Sequence, residues 1–235
     1  MSIILKRLRS RTRKFLGIGK RPKAHRNLKA RFTYVYRGKT WKSEESVSGP
    51  GSTLESGSVR QAMSALSHVV RHHPIGSIAD LPCGDFNWMP AFLQQHPEIK
   101  YAGYDIVDEL VAQNRRTQAD RTFRVLDVTT QIPPYADLLF SKDLVNHLLE
   151  RDVWSALANM IRSGATYLMI TSNADPMPNE ELSENVAGAS RPLNLQIAPY
   201  NFPPPLYDDG YLAMWRTKDL AFILTGNPDL NQSSP

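Results

Sequence analysis

The 235-residue sequence contains a single cysteine, Cys83. One cysteine cannot form an intramolecular disulfide, and it cannot supply the clustered thiolates of a structural zinc site. Both kinds of site are therefore excluded, and no metal site is predicted. Such sparing use of cysteine is typical of a reducing compartment, so we expect a cytoplasmic protein.

Long apolar runs are also absent. No stretch approaches the ~20 apolar residues that cross a bilayer. The first apolar stretch, Ile3-Ile4-Leu5, is interrupted at Lys6, which is too early for the apolar region of a secretory signal. We therefore expect neither a transmembrane segment nor a secretory signal.

Acidic residues are missing from the beginning of the chain. Residues 1–43 contain 15 Lys or Arg, and the first carboxylate is Glu44, whereas the rest of the chain has 13 basic and 23 acidic residues. Within residues 1–30 the basic side chains alternate with apolar ones, which predicts a basic, partly disordered or amphipathic arm. We expect this arm to bind an anionic membrane surface, giving a peripheral location, or nucleic acid. A transit peptide and a solvated tail are the alternatives.

The segment after the arm, residues 31–74, is predicted to be an N-terminal extension. Phe32 to Tyr36 is rich in aromatic and β-branched residues, which favours a strand. Residues 41–53 contain Ser, Gly and Pro and predict a loop, and Leu54 to His72 has the apolar spacing of a helix. The loop is either a linker or a lid whose backbone N–H groups approach a ligand.

From residue 75 the pattern alternates between strand and helix, which is typical of a mostly parallel sheet. We predict one α/β domain over 75–226, with a Rossmann-like open sheet of about seven strands, a reversed last strand, and helices on both faces. A Pro- and Asn-rich insertion, 172–210, interrupts the alternation, and residues 227–235 read as a tail. The predicted strands are 76–81, 101–105, one that ends at Asp127, 137–141, 166–171, and a closing hairpin of 211–215 with 220–224; the predicted helices are 87–95, one through Leu110 and Val111, and one from Leu144 to Met160.

Three carboxylates stand at the ends of successive predicted strands, namely Asp80, Asp105 and Asp127. Because the carboxyl ends of parallel strands share one edge of a sheet, these acids can surround one ligand. Asp105 is suited to accept hydrogen bonds from both ribose hydroxyls, and Asp127 could accept one from the exocyclic amine of adenine. Each acid alone could instead be a helix cap. Together they predict a nucleotide site.

The stretch Asp80-Leu81-Pro82-Cys83-Gly84-Asp85-Phe86 follows a buried strand and resembles the first motif, Asp-x-Gly-x-Gly-x-Gly, of the class I S-adenosylmethionine-dependent methyltransferases. The resemblance covers about residues 70–225 and implies a methyltransferase with S-adenosyl-L-methionine as cofactor. Pro82 and Phe86 replace two of the motif's glycines, which implies an altered methionine end of the pocket. The cofactor-binding residues that the resemblance implies are Asp80, Pro82, Cys83, Gly84, Phe86, Asp105, Ile106, Asp127, Val128, Ser141 and Asp143.

The expected reaction is in-line methyl transfer to an unidentified oxygen or nitrogen nucleophile. His147 is the candidate general base because its ordinary pKa is near 6.5, although a structural histidine is the alternative. The candidate substrate contacts are Ser48, Ser52, Arg191, Asn194 and Tyr200. A nicotinamide-binding Rossmann protein, and a non-catalytic protein that binds membrane or RNA through its arm, are the competing interpretations.

Overall fold

The computed structural model describes residues 27–41, 43–174, 177–182 and 186–226. Its centre is a seven-stranded sheet with the order β3-β2-β1-β4-β5-β7-β6. The first five strands run parallel, while β7 pairs antiparallel with both β5 and β6. The strands are β1 (Ser77–Asp80), β2 (Lys100–Asp105), β3 (Thr122–Val125), β4 (Leu138–Ser141), β5 (Tyr167–Thr171), β6 (Tyr207–Asp208) and β7 (Leu212–Arg216). The prediction of an open, mostly parallel sheet with a reversed end is confirmed.

Six α-helices are described: α1 (Leu28–Arg37), α2 (Gly57–His72), α3 (Met89–Gln95), α4 (Asp108–Thr117), α5 (Glu150–Arg162) and α6 (Ile223–Gly226). Successive strand residues point to opposite sides, so the sheet has two apolar faces, and helices pack on both of them. Leu139 and Leu168 face one core with Leu157 of α5, while Leu138 and Met169 face a second core that includes residues of α2 and α3. Both strands are buried along their whole length, which explains why β4 and β5 are mainly apolar.

The strand order fixes where a ligand can bind. From β1 the chain builds outward through β2 and β3, and it then crosses back to place β4 on the other side of β1. Open α/β sheets bind ligands at such a switch point, beyond the carboxyl ends of the strands. Here these ends are Asp80, Asp105 and Ser141.

The prediction of a strand at Phe32 to Tyr36 is wrong, because these residues lie within α1. The side chain of Asn27 caps the helix by accepting a hydrogen bond from the N–H of Ala30 at 3.1 Å. Arg31 and Val35, one turn apart, are the buried residues of the helix. The cap and the packing of this buried face therefore outweigh the strand preference of the aromatic residues.

The predicted closing hairpin has the wrong second strand. Residues 217–220 form a 3₁₀ helix and Ile223 begins α6, whereas the strand that pairs with β7 is β6, within the predicted insertion. The turn between β6 and β7 is stabilised by Asp209, whose Oδ1 accepts hydrogen bonds from the N–H groups of Tyr211 and Leu212. The hydrogen bonds of Asp209 therefore favour a tight turn before β7, which pairs β7 with the preceding strand β6.

Two predicted segments fall partly or wholly outside the described residues. The basic arm overlaps them only at residues 27–30, and the tail 227–235 lies beyond them. Across the described ranges, no helix combines the length and apolarity needed to cross a membrane.

Candidate functional site

A cavity of about 340 Å³ opens at the switch point. Its floor consists of the turn after β1, the end of β2 and the segment after β4, and its cover consists of α1 and residues 43–53, called the strap below. This volume is within the ~300–1,000 Å³ typical of small-molecule sites. The N-terminal extension therefore forms part of the site.

The turn after β1 closes tightly on the end of β2. The N–H of Cys83 donates to the carbonyl of Tyr104 at 2.8 Å, and the N–H of Gly84 donates to Oδ2 of Asp105 at 3.2 Å. Gly84 has φ = 55°, and a Cβ there would collide with Oγ of Ser48 in the strap. Only glycine satisfies both conditions, which accounts for the one glycine that the motif retains.

Two buried carboxylates face this turn. Asp80 is 3% exposed and accepts a hydrogen bond from the Tyr101 hydroxyl at 2.8 Å; Asp105 is 7% exposed and accepts one from the N–H of Val107 at 2.9 Å. Burial raises the pKa of Asp80 to about 7, opposed by the Tyr101 bond and reinforced by the charge of Asp105. Burial likewise raises the pKa of Asp105 to about 6. The site would therefore be stabilised by a cationic ligand.

The strap is held to the turn by Asp85. Its Oδ2 accepts the N–H of Val47 at 2.9 Å, and its Oδ1 accepts the hydroxyl of Ser48 at 3.2 Å. Ser48 Oγ in turn accepts the N–H of Asp85 at 3.1 Å. The strap therefore lies against the cavity, and its role as a lid stays a prediction.

The segment after β4 carries a polar cluster. Oδ2 of Asp143 accepts a hydrogen bond from Lys142 Nζ at 2.6 Å and another from the Tyr211 hydroxyl at 2.7 Å. The N–H of Asp143 donates to Oγ1 of Thr171 at 2.8 Å, which holds this residue at φ = 56°. One carboxylate oxygen of Asp143 therefore serves the protein's own donors.

His147 lies on the cavity wall in the 3₁₀ turn Val145–His147. Its Nδ1 is 2.8 Å from the carbonyl oxygen of Ala189, and because a carbonyl only accepts, Nδ1 carries the proton and Nε2 has a lone pair. Burial lowers the pKa of His147, partly offset by the Ala189 bond. The ring of Trp41 packs beside the imidazole, with centroids 5.1 Å apart.

The structure brings most of the predicted residues to the cavity wall. Lining it are Asp80, Pro82, Cys83, Gly84, Asp105, Ile106 and Asp143 of the cofactor set, His147, and Ser48 and Ser52 of the substrate set.

Other predicted site residues lie away from that wall. Phe86 packs among Tyr101 and Phe123 in the core. The hydroxyl of Ser141 is buried and has no hydrogen-bond partner in the described part of the chain. Asp127 and Val128 border a small adjoining cavity of about 30 Å³.

Three predicted substrate contacts, Arg191, Asn194 and Tyr200, are not among the residues that line the cavity. Nη1 of Arg191 donates to the carbonyl of Leu148 at 2.7 Å, which fastens the insertion to the segment before α5. Asn194 is 9% exposed and Tyr200 1%. The geometry gives these residues structural positions.

Several residues of the wall were not predicted as site residues, among them Trp41, Asp85, Trp88, Lys142 and Asn146. Asp85 and Lys142 stand next to predicted residues, so their positions in the two motifs were the available signal. The two tryptophans carry no such signal, because tryptophan in a sequence more often indicates core packing.

No family model matches the sequence, and no curated protein matches it. Solved structures do match this chain. LaPhzM matches with a TM-score of 0.50 at 14% identity, over 67% of this chain and 55% of that chain. PigF with SAH also matches with a TM-score of 0.50 at 14% identity, over 68% and 56%.

The fold is that of the class I S-adenosylmethionine-dependent methyltransferases. Human N-acetylserotonin methyltransferase in complex with SAM is also similar, with a TM-score of 0.49 at 15% identity, over 79% of this chain and 66% of that chain. The chain spans between about half and two thirds of the length of these methyltransferase-fold proteins. The likeness is one of fold, so the acceptor has to be argued from the site.

Proposed function

We propose that this chain transfers a methyl group from S-adenosyl-L-methionine to an oxygen or nitrogen nucleophile. The observation that carries the proposal is the pair of buried carboxylates, Asp80 and Asp105, beside Gly84 at the switch point of a methyltransferase fold. Their raised pKa values fit a ligand that brings positive charge, as a sulfonium and an amino group do.

The residues around the turn match the parts of this cofactor. Asp105 would accept the ribose hydroxyls, and the backbone of residues 82–84 would approach the methionine end. Asp80 would supply negative charge near that end. When bound, S-adenosylmethionine supplies an activated methyl group, whose bond to sulfur breaks with the electron pair remaining on sulfur.

On the acceptor side, His147 is proposed as the general base. Its Nε2 has a lone pair, and its lowered pKa keeps the ring neutral at pH 7. The proton of the acceptor would move to Nε2 as the new bond to carbon forms. His147→Gln should lower kcat by about 10²- to 10⁴-fold. Unchanged S-adenosylhomocysteine affinity would show that the substitution spares the cofactor site, whereas unchanged kcat would leave His147 a structural role.

Calorimetry tests the cofactor directly. The full chain should bind S-adenosylmethionine and S-adenosylhomocysteine and should not bind NAD. Binding of NAD without binding of either sulfur compound would refute the proposal in favour of a nicotinamide-binding protein. Binding without any methyl transfer to a cell extract would favour the non-catalytic alternative.

We also propose that the basic arm recruits the protein to an anionic surface, since residues 1–26 contain ten Lys or Arg and no acid. Deletion of these residues should weaken co-sedimentation with anionic vesicles or retention on RNA, and the more affected of the two identifies the partner. Cofactor affinity should not change. If neither retention changes, the arm has no such role.

A further inference from the structure

The most unusual charged group of the cavity is Lys142. Its side chain is 5% exposed, whereas lysine is almost never buried without a partner. Among the described residues its Nζ donates to Asp143 at 2.6 Å and to the carbonyl of Gly51 at 3.0 Å. Burying an ammonium costs several kcal/mol, and the contacts with Asp143 and Gly51 oppose that cost.

An ammonium has three N–H donors, and these two acceptors use two of them. Lys142 also lines the cavity, as does His147 five residues later. Burial lowers the pKa of His147 most, and among the charges around the ring Asp143 raises the pKa while Arg31 and Lys142 lower it. A cationic donor and a neutral base therefore line the same cavity.

This pairing discriminates between acceptor classes. An alkylammonium acceptor would place a further cation beside Lys142, and its nitrogen has no lone pair with which to attack until a proton is lost. A hydroxyl acceptor develops negative charge on oxygen as its proton moves to Nε2 of His147. A fixed ammonium stabilises that charge.

We propose that Lys142 holds the oxygen of a weakly acidic hydroxyl acceptor, so that the enzyme is an O-methyltransferase. This inference rests on the proposed function. Trp41 and Trp88 on the same wall offer flat apolar surface for the carbon skeleton of such an acceptor. Asp143 keeps the ammonium of Lys142 in place, and the hydroxyl of Tyr211 donates a hydrogen bond to the same carboxylate. Burial and the neighbouring Asp143 raise the pKa of Tyr211, so this hydroxyl remains a donor.

The test uses 4-nitrophenol, whose phenolate absorbs visible light, bound to the full chain in the presence of S-adenosylhomocysteine. The wild type should lower the apparent pKa of the probe by about one pH unit, a tenfold gain for the anion. Lys142→Met should abolish this shift, and Lys142→Arg should retain most of it. Lys100→Met, at an exposed lysine of β2, is the matched control and should behave as wild type.

Three results would overturn the inference while the proposed function stands. These are binding of S-adenosylhomocysteine without a shift of the probe, a shift that persists in Lys142→Met, and stronger binding of benzylamine than of 4-nitrophenol. Failure to bind S-adenosylhomocysteine would instead refute the proposed function. Calorimetry shows whether each variant still binds S-adenosylhomocysteine and is therefore folded. A missing pKa shift of the probe in such a variant is then due to the substitution itself.

Discussion

Cofactor binding should weaken sharply on acidification, because a cationic ligand requires Asp80 and Asp105 to be ionised. With pKa values of about 7 and about 6 in the free protein, both are mainly ionised at pH 7.5 and mainly protonated at pH 5.5. If both must ionise, the affinity for S-adenosylmethionine, which carries the sulfonium charge, falls about 100-fold between these two values. The carboxylates interact, so the two steps belong to the pair.

The assay is calorimetry at half-unit intervals across that range. At pH 7, Asp80 is about half protonated, so binding should release about half a proton, which is measured by repeating the titration in buffers of different ionisation enthalpy. In Asp80→Asn the pH step near 7 should disappear and the smaller step near 6 should remain. An affinity that stays level or rises on acidification would refute the assignment of these carboxylates as the groups that face the cofactor.

Three further substitutions test the site and the core. Asp105→Asn should weaken S-adenosylhomocysteine binding about 10- to 100-fold, as expected for the loss of charge-assisted hydrogen bonds worth ~1.5–3 kcal/mol. The control is Asp120→Asn, at an exposed position. Equal affinity in both variants would remove Asp105 from the ribose site. Gly84→Ala should reduce binding at least about tenfold, because it adds steric crowding to the ~1–3 kcal/mol of left-handed strain. Gly164→Ala has the same strain at φ = 71° but open space around it, so similar behaviour of the two variants in binding would disprove the role of crowding. Leu157→Ala, at a fully buried position, should lower the free energy of unfolding in urea by ~2–5 kcal/mol, and a change below 1 kcal/mol would contradict the placement of α5 over the core.

The fold was largely predictable from the sequence because its signals are local and repeated. The strand regions of the parallel part were each identified from apolar runs, and the predicted strand 211–215 corresponds to β7. The two errors, at 32–36 and at 220–224, concern short segments in which aromatic and β-branched residues favour a strand, while capping and packing produce a helix. Local composition does not contain those tertiary contacts.

The candidate site was predictable only where a motif carried it. The predicted residues on β1 and β2 line the cavity because strand ends converge in any parallel sheet. Trp41 and the strap reach it through contacts of long sequence separation, such as that between Val47 and Asp85. The prediction that Arg191 and Tyr200 contact substrate stays a prediction, because nothing in their local sequence distinguishes a polar residue that binds substrate from one that fastens a loop.

The electrostatics of the cavity explain why a stable fold retains such unfavourable groups. For a carboxyl whose folded pKa is raised, stability is highest below the ordinary pKa of 3.8 and is lost as the pH rises toward the folded value. For Asp80 the full shift corresponds to about 4 kcal/mol at neutral pH, a large share of the ~5–15 kcal/mol that holds a domain together. A cationic ligand would remove that cost on binding. Under the proposed function, the instability of the empty site would therefore be converted into affinity, which would account for acids at positions where apolar residues would make the fold more stable.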